Sequence, residues 1–460
     1  MSMRAGAGRG ELSVPDRGAT LAAVLILSAV AGTASARLPA DAPPLPPPDP
    51  AHYDIVTVAT AQELADACWN LQSDQAIVIA AGTYDLASVS FPNGADGRLT
   101  IGRFGAAPIS NVQVRGATGD PEDVVLLGAG MLDPVVPFGI QIFTATDVLI
   151  ADLSVGEVYY HAVAIQGDQG AARVHLHHLR LFDAGQQIVK APTPGAGGGG
   201  DDVIIEYSEI FYTVGAVEHP EGSPPDSCYT NGIDALGVSG WVIRDNLIRG
   251  IKCQNAALAG PAILMWGGSD GTVVEGNTLL DSSRGIHLGL GQGDHAGGVV
   301  RNNFVRWNPD AGYVVDVPIY TTSPGSLVLH NTALTRGRYP NGVEVRYASA
   351  TGVEVRANLL DAAIAPRNGA TPLVADNETS AQLSWFVDEA GGDLHLLPTA
   401  AAAIDQVTRS VDAPLDFDGA PRPGGAGLAD LGADELGLGD EVYADGFESG
   451  DASAWSVAVP

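Results

Sequence analysis

The stretch VVEGNTLLDSSRGIHLGLGQGDHAGGVVRNNFV, residues 273–305, contains the same short motif twice. In both copies two β-forming residues and two spacer residues precede an asparagine, Asn277 or Asn303, and apolar residues follow it. A segment with alternating apolar residues, RGIHLGL, stands between the two copies. Such a motif predicts a repeat architecture if further copies exist elsewhere in the chain.

Further copies extend this pattern over much of the chain. Consecutive copies are 25 to 38 residues apart, and a strand-like segment precedes each one. Short strands at this interval predict a parallel solenoid whose coils stack about 4.8 Å apart, whereas an antiparallel sandwich needs hairpin turns about every 8–12 residues. The asparagines predict a hydrogen-bonded ladder at a tight turn. The repeat position is occupied by Asn246, Asn277, Asn303, Asn331 and Asn358, and in degenerate copies by Leu153, His178 and Ser208.

The composition agrees with an all-β chain and limits its partners. The 460 residues include 58 glycines and 30 prolines, and only 17% are charged, which is typical of many short strands joined by turns. The formal net charge of −31 argues against nucleic acid as a partner, because phosphates would be repelled. The same charge opposes binding of a polyanionic sugar unless a local basic patch or a bound cation offsets it.

The N-terminus has the features of a secretory signal peptide over residues 1–36. Arginines precede the apolar run LAAVLILSAVAG (21–32), and the small residues 34–36 form a cleavage site. The apolar run is too short to cross a bilayer comfortably. The sequence therefore predicts an exported, secreted or cell-surface protein with no membrane span after signal removal, followed by a Pro-rich extended spacer over 37–52.

The three cysteines leave one unpaired. Cys228 and Cys253 are 25 residues apart, and export favours a disulfide between them. Cys68 lies in a helix-like segment without an accompanying His/Asp grouping. We expect it to be a small buried apolar residue rather than a nucleophile.

Three stretches together resemble a known family. The coil motifs, VATAQELADACWNLQSDQAIVIAAGTYDL (58–86) and LDFDGAPRPGGAGLADLGADE (415–435) are similar to secreted right-handed parallel β-helix proteins of the pectin-lyase-like fold. In that family the first stretch is a capping helix and an entry strand, and the last is the usual close of bacterial secreted members. The resemblance implies an all-β, single-stranded parallel β-helix with a short N-terminal capping helix over residues 53–436.

The last residues, 437–460, form a separate acidic segment. EVYADGFESGDASAWS is similar to tails of other proteobacterial secreted proteins, where a sorting or anchoring role is suspected. A partly ordered acidic tail without such a role is the alternative interpretation, and the sequence leaves both open.

The leading strands of the coils predict where a site lies. Insertions at 191–202, 215–230 and 250–260 flank the coils that carry Lys190 and Asp234, and function on repeat scaffolds concentrates near such loops. We therefore expect a shallow saccharide groove there, with Lys190 and Asp234 about 5 Å apart; a solvated ion pair is the alternative. The predicted outward positions are Gln141, Gln166, Lys190, Asp234, Leu264 with Trp266, His287, Asp316, and Glu344 with Arg346.

The resemblance implies an enzyme acting on a polysaccharide, although the family's motifs are mostly missing. Of the polygalacturonase motifs Asn-Thr-Asp, Asp-Asp and Gly-His-Gly, only Asp201-Asp202 matches, and it follows a glycine-rich loop. The pectate lyase motif Arg-x-Pro-x-x-Arg is absent. Lyases of the alginate and chondroitin type use a lysine base and an arginine acid, with a cation or basic group at the uronate. A polysaccharide lyase is favoured over a glycoside hydrolase, and a non-catalytic surface adhesin or glycan binder is the alternative.

The candidate residues are assigned by chemistry rather than by motif. Removing a proton next to a carboxylate needs a base and charge relief. The catalytic candidates are Lys190 as base, Asp234, Arg284 as acid, and His287; Asp234 is also the candidate calcium ligand. The substrate-binding candidates are Gln166, Trp266, which can stack on a sugar ring, and Arg249, which is also an alternative acid.

Several polar groups have a simpler interpretation. A lone outward histidine such as His287 is usually a surface residue, and Glu218, His219 and Glu221 fit a solvated loop. The run HLHH (175–178) alternates between faces, so we expect it to split its potential ligands and form no zinc site. We expect a monomer.

Overall fold

The computed structural model describes residues 42–92, 94–193 and 199–437. In this part the chain winds into a right-handed parallel β-helix, which confirms the expected fold class. We number its sheets 1, 2 and 3 in the order in which a coil enters them. The predicted signal peptide and all but the first residue of the predicted tail lie outside the described residues.

Sheet 1 contains ten parallel strands, one per coil. Inward residues such as Val163 and Ile263 are fully buried in a core that runs continuously through the stack. The strands are Leu99–Ile101, Phe138–Ile142, His161–Ile165, Val189–Ala191, Ile233–Leu236, Pro261–Trp266, Arg284–Leu288, Ile319–Thr321, Asn341–Arg346 and Ala363–Arg367.

Sheets 2 and 3 join into one twenty-stranded sheet because two long strands, Ala145–Val158 and Ala172–Ala184, run through both. The other strands of sheet 2 are Asp54–Val58, Gln75–Ile79, Ile109–Gly116, Ile204–Glu206, Val242–Arg244, Val273–Glu275, Val299–Arg301, Leu327–Leu329, Glu354–Arg356 and Leu373–Ala375. The other strands of sheet 3 are Gly82–Asp85, Val124–Leu127, Glu209–Phe211, Leu247–Arg249, Thr278–Leu280, Phe304–Arg306, Thr332–Leu334 and Leu359–Leu360.

The remaining elements are short. Ser269–Asp270 pairs in parallel with His295–Ala296, and Phe386–Asp388 pairs antiparallel with Asp393–Leu396. The 3-10 turns are Leu86–Ser88, Gly167–Gln169 and Leu383–Trp385.

One α-helix, Ala61–Trp69, covers the first coils. The Thr60 side chain accepts from the backbone of Glu63, and the Glu63 carboxylate accepts from the backbone of Thr60, which forms a capping box. The helix buries Cys68, and burial raises the pKa of this thiol to about 12. Cys68 is therefore a protonated apolar core residue.

The asparagines form the predicted ladder between sheets 2 and 3. Each Nδ2 donates to the Oδ1 of the asparagine one coil later, as from Asn246 to Asn277 at 2.9 Å and from Asn277 to Asn303 at 3.0 Å. The residue before each position has a left-handed backbone, for example Asp245 with φ 55° and Gly276 with φ 64°. The ladder thus stabilises a sharp corner repeated in each coil.

The structure corrects and extends the ladder. Leu179, not His178, occupies the repeat position, because Leu179 pairs with Leu153 and its N–H donates to the Ser208 hydroxyl at 3.0 Å. His178 is the left-handed residue before it, with φ 53°. Asn377 adds a rung that was not identified, and it accepts from Asn358 at 2.9 Å.

Residues 381–436 cover the outer face of sheet 3 and form a second apolar core with Phe304, Leu334 and Leu359. The buried Arg422 holds this closing segment together. Its guanidinium donates to the carbonyls of Gly432 at 2.9 Å and Ala433 at 2.7 Å, and to the Glu435 carboxylate at 3.0 Å.

The Pro-rich segment contacts the coils. Arg115 donates to the carbonyl oxygen of Pro46 at 2.7 Å and to the Asp152 carboxylate at 2.9 Å.

Cys228 and Cys253 form a disulfide with a Cα–Cα distance of 5.9 Å. Among the described residues there is no helix with the length and apolar character needed to cross a membrane.

Candidate functional site

One outward-facing position per coil runs along sheet 1, and we call these aligned residues the sheet 1 row. Most of the row is buried. The outward side of sheet 1 is therefore less accessible than the sequence predicts. The row consists of Thr100, Gln141, Ala164, Lys190, Asp234, Leu264, His287, Tyr320, Glu344 and Ala365.

Two residues expected in the row are not there. Ala164 occupies the position assigned to Gln166, which follows the end of its strand. Tyr320 occupies the position assigned to Asp316, which precedes its strand. In both coils the register predicted from apolar alternation differs from the register of the observed strand pairing.

Lys190, Asp234 and Trp266 form a cluster in the middle of the row. The Lys190 ammonium donates to Asp234 Oδ2 at 2.5 Å, and the Trp266 indole donates to Asp234 Oδ1 at 2.8 Å. Asp234 is buried, whereas the Lys190 side chain remains 13% exposed. Both carboxylate oxygens thus have donors, and the ammonium acts as a cation and donor in this arrangement.

The contacts of Asp234 do not fit its expected role as a calcium ligand. Calcium takes about 6–8 oxygen ligands, but the neighbours of the Asp234 carboxylate are an ammonium and an indole N–H. Binding of a cation there would displace Lys190. Asp234 is instead the anchor that positions Lys190 and Trp266.

An aromatic box borders the row where the chain enters sheet 1. We use this name for Phe138, Tyr159, Tyr160, His161 and His219, whose ring centroids are 4.4 to 6.1 Å apart in successive contacts. Burial lowers the pKa of His161 to about 3, so this imidazole is neutral at neutral pH.

The loop over 215–230 completes the box with the buried His219, whereas Glu218 and Glu221 are exposed, as expected of a solvated loop. His219 is buried and Glu221 accepts from the Tyr160 hydroxyl. Burial and the neighbouring Glu221 raise the pKa of Tyr160. Glu218 instead accepts from Asn255 in the next insertion.

His287 lies three coils beyond Lys190, about 14 Å away by strand spacing, and it is not the surface residue expected. Its side chain stacks on Tyr320 at 4.7 Å, and the residue is 4% exposed. Neither ring nitrogen has a hydrogen-bond partner among the described residues. Burial lowers the pKa of His287 to about 3, so the row holds a neutral imidazole.

Charged residues surround His287. Arg284 donates to Asp316 at 3.3 Å. Glu344, fully buried in the row, accepts from Arg346 at 2.6 Å and from Arg367 at 2.9 Å. Three arginines thus lie beside the far half of the row, and their buried or partly buried carboxylate partners fix their positions.

Arg249 does not join the site. It ends a strand of sheet 3, where it pairs with Glu209 at 2.7 Å and lies 4.2 Å from the centroid of the Phe211 ring. Sheet 3 faces a different side of the β-helix from sheet 1. The structure therefore separates Arg249 from Lys190 and Trp266.

The insertions lie at two edges of sheet 1. Those over 215–230 and 250–260 precede strands of the sheet, and the Cys228–Cys253 disulfide joins them. The insertion over 191–202 follows a strand, and its residues 194–198 are outside the described part.

Sequence reasoning missed the aromatic box and Tyr320. A signal for the box was available, because Tyr159 and Tyr160 directly precede the strand His161–Ile165. Tyr320 was hidden by the incorrect register of its coil.

Solved structures share this architecture. The crystal structure of pectate lyase Pel9A has a TM-score of 0.59 and 13% identity, and the match covers 84% of this chain and 97% of that chain. An alginate lyase from Paenibacillus has a TM-score of 0.41 and 18% identity over 70% of this chain and 94% of that chain. PfbA, a surface adhesin of Streptococcus pneumoniae, has a TM-score of 0.45 and 12% identity, and the match covers 72% of this chain and 81% of that chain.

No family model matches the chain, and no curated protein matches it. The likeness to pectate lyase Pel9A confirms the pectin-lyase-like parallel β-helix. At 13% identity it shows the fold alone.

Proposed function

We propose that this protein is exported and, as a monomer, binds an acidic extracellular polysaccharide along the outward side of sheet 1. The proposal is carried by the cluster of Lys190, Asp234 and Trp266 at the centre of the row, between the two loop-bearing edges. A partly exposed ammonium suits a uronate carboxylate, and an indole ring offers an apolar face and a polar edge to a sugar.

Local positive charge supports an acidic ligand despite the net charge of −31. Arg284, Arg346 and Arg367 lie along the same side of the β-helix, and all three side chains are partly exposed. Guanidinium groups bind carboxylates through paired N–H donors. Several cations spaced along one sheet suit a polymer with repeated acid groups.

Cleavage by elimination is a second candidate function, and the neutral, unpartnered imidazole of His287 favours it. In this reaction a base removes the proton next to the uronate carboxylate, a carbon–carbon double bond forms, and the bond to the leaving sugar oxygen, which takes up a proton, breaks. His287 is the proposed base and Arg284 the group that relieves charge on the carboxylate. His287 is 4% exposed, so a substrate reaches it only when neighbouring side chains move.

A glycan panel tests both candidates on residues 37–460. Affinity electrophoresis with acidic and neutral polysaccharides measures binding, and ultraviolet absorbance measures new unsaturated sugar ends, each with and without calcium. We expect retardation by an acidic glycan. The binding proposal is contradicted if no polysaccharide retards the protein, and the elimination candidate is contradicted if no unsaturated ends form.

The two lysines of the chain provide a matched control. Lys190→Gln should weaken retardation by an acidic glycan, because it removes the cation at the centre of the row. Lys252→Gln should leave it unchanged, because Lys252 lies over the Tyr313 ring outside the row. Equal effects of both variants would remove the case for the Lys190 cluster.

Display on the cell surface, as in a non-catalytic adhesin, depends on the acidic tail over 437–460. The satisfied Lys190–Asp234 pair supports this binding-only form. Fractionation of cells that express full-length or tail-deleted protein tests it. If the tail-deleted protein remains attached to cells like the full-length protein, the tail is not an anchor.

A further inference from the structure

A second polar cluster lies on the outer face of sheet 2. His175 and His177 are two residues apart in the strand Ala172–Ala184, so they share one face, and His177 is paired with Glu206 of the next coil. The expectation that HLHH divides all its ligands between faces is thus wrong for this pair. His178 is separate, and its Nδ1 lies 3.1 Å from Asp152.

The three side chains converge on one point. His175 Nε2 and His177 Nδ1 lie 2.8 Å and 3.2 Å from the same oxygen, Oε1 of Glu206. The three potential ligand atoms are all within 4.8 Å of one another. Two imidazole nitrogens and a carboxylate oxygen at this separation can contract onto one ion, since Zn–N and Zn–O bonds are about 2.0–2.2 Å.

The surroundings give this cluster the form of a built site. His177 is 1% exposed and Glu206 is buried, whereas the His175 side chain is 32% exposed and leaves one side open. Arg244 donates to the other carboxylate oxygen, Oε2, at 2.7 Å, and so fixes the orientation of Oε1. Such outer contacts hold ligands in place in metal sites.

His177 also has a polar atom without a partner. Its Nε2 is buried and unpaired among the described residues, and its ring meets Tyr207 edge to face at 5.5 Å. The ring is therefore held by packing against Tyr207 and not by a hydrogen bond at Nε2. Its Nδ1 is left directed at Glu206.

The geometry points to a binding site for one divalent transition-metal ion, held by His175, His177 and Glu206. Two imidazoles and one carboxylate suit zinc, nickel or copper better than calcium or magnesium, which prefer oxygen ligands. Three protein ligands leave a position for water on the open side at His175. The site is on sheet 2, so it does not depend on the function proposed for sheet 1.

Cobalt is the probe for a test on the chelator-treated, purified chain. We expect saturable binding of one Co²⁺ per chain with a visible ligand-field spectrum, and displacement by Zn²⁺. His175→Ala should weaken binding by at least about tenfold, since it removes a direct ligand. His178→Ala, which changes the adjacent histidine outside the cluster, should bind like the unaltered chain.

Two further measurements distinguish loss of the site from loss of the fold and from binding elsewhere. Because His175 is partly exposed, its alanine variant should retain the circular dichroism spectrum of the unaltered chain, and Zn²⁺ should raise the Tm of the unaltered chain more than that of this variant. Within the described part of the chain, the cluster of His395, Asp418 and Asp434 is a second location that could hold an ion. Absence of saturable binding, or binding that is lost in His395→Ala but kept in His175→Ala, would overturn the assignment.

Discussion

The asparagine ladder and the sheet 1 row are both stacked columns of mostly buried polar side chains, yet they are built differently. The ladder repeats one residue, so that each asparagine donates to the next. The row changes residue at each coil, and its members find partners of other types, as Asp234 does in Lys190 and Trp266. Burial does not distinguish scaffold from site in this β-helix, whereas repetition does.

The difference follows from what each column must satisfy. A repeated asparagine supplies donors and acceptors in the same geometry at each turn, so identical coils complete one another. In a column with different residues, each polar side chain needs hydrogen-bond partners of its own kind. Sites for ligands arise where polar groups of such a column remain accessible. Changes in the two columns should therefore have different consequences.

The largest effect is expected at the centre of the ladder. Asn303→Ala removes donors to the carbonyls of Val274 and Arg301 and to Asn331, and the acceptor for Asn277. We expect the free energy of unfolding to fall by about 4 kcal/mol, because several buried groups lose their partners. Urea unfolding measures this loss.

The end of the ladder supplies the control. Asn377→Ala changes a half-buried residue with no further asparagine to donate to, so about 1 kcal/mol is expected. Equal losses at Asn303 and Asn377 would show that the ladder does not act as a cooperative column.

The next effect concerns the buried pair in the row. Lys190→Met leaves the carboxylate of Asp234 buried with only Trp266 as a donor, and we expect a loss of about 3 kcal/mol. Lys190→Met combined with Asp234→Leu should recover part of this loss, because no uncompensated charge remains. A double-mutant cycle by urea unfolding measures the coupling, and additive effects would contradict the pairing.

An effect that is small near neutral pH and grows as the pH falls is expected at His287. Its pKa is about 3 in the folded chain and about 6.5 in an unfolded chain, so the unfolded state binds the additional proton between these values. The contribution of His287 to the free energy of unfolding is therefore fully present above about pH 6.5. It is lost as the pH falls towards 3, with a slope of up to about 1.4 kcal/mol per pH unit.

His287→Phe should reduce this slope, because it removes the proton uptake and keeps a ring against Tyr320. Tyr320→Phe retains the imidazole and should keep the slope. Unfolding midpoints in urea between pH 4 and pH 7 measure both, and an unchanged slope in His287→Phe would show that this residue does not titrate on unfolding.

The smallest effect is expected at Arg249, outside both columns. Arg249→Ala leaves Glu209 with its second partner, Arg180, at 2.9 Å, so we expect a loss of about 1 kcal/mol or less. Binding of an acidic glycan should not change. Arg284→Ala, beside the row, should weaken that binding, and the opposite result would place the ligand on sheet 3.

The asparagine ladder and the sheet 1 row also differ in how far they could be predicted from the sequence. The repeat determined the ladder, because each copy has the same local pattern, and Asn377 was overlooked even though VADN (374–377) fits that pattern. The contact between Lys190 and Asp234 was also predictable: the register of QQIVKA is ambiguous by one residue, but an inward lysine would bury an unpaired charge, which favours the outward position. Local periodicity identified the outward residue in most coils of sheet 1, but not in those of Ala164 and Tyr320.

The environment of the row was not predictable in the same way. Whether His287 is exposed depends on a loop and on Tyr320, whose register could not be derived from apolar alternation. Arg249 was chosen by chemistry alone, and the chemistry of a side chain does not show which sheet the residue belongs to. The pair His175 and His177 was dismissed because the run was considered as a whole, although alternate residues of a strand share a face.

The closing segment has a consequence for how the length of this protein can change. It contacts a fixed set of coils: Asn302 donates to the carbonyl of Leu415, Ala433 donates to the Thr332 hydroxyl, and Gly432 donates to the carbonyl of Ala357. Duplication of a whole coil upstream of residue 299 preserves these three spacings. A coil added between Asn302 and Ala357 separates them by a further strand spacing, so coil duplication within this stretch would break the contacts of the closing segment.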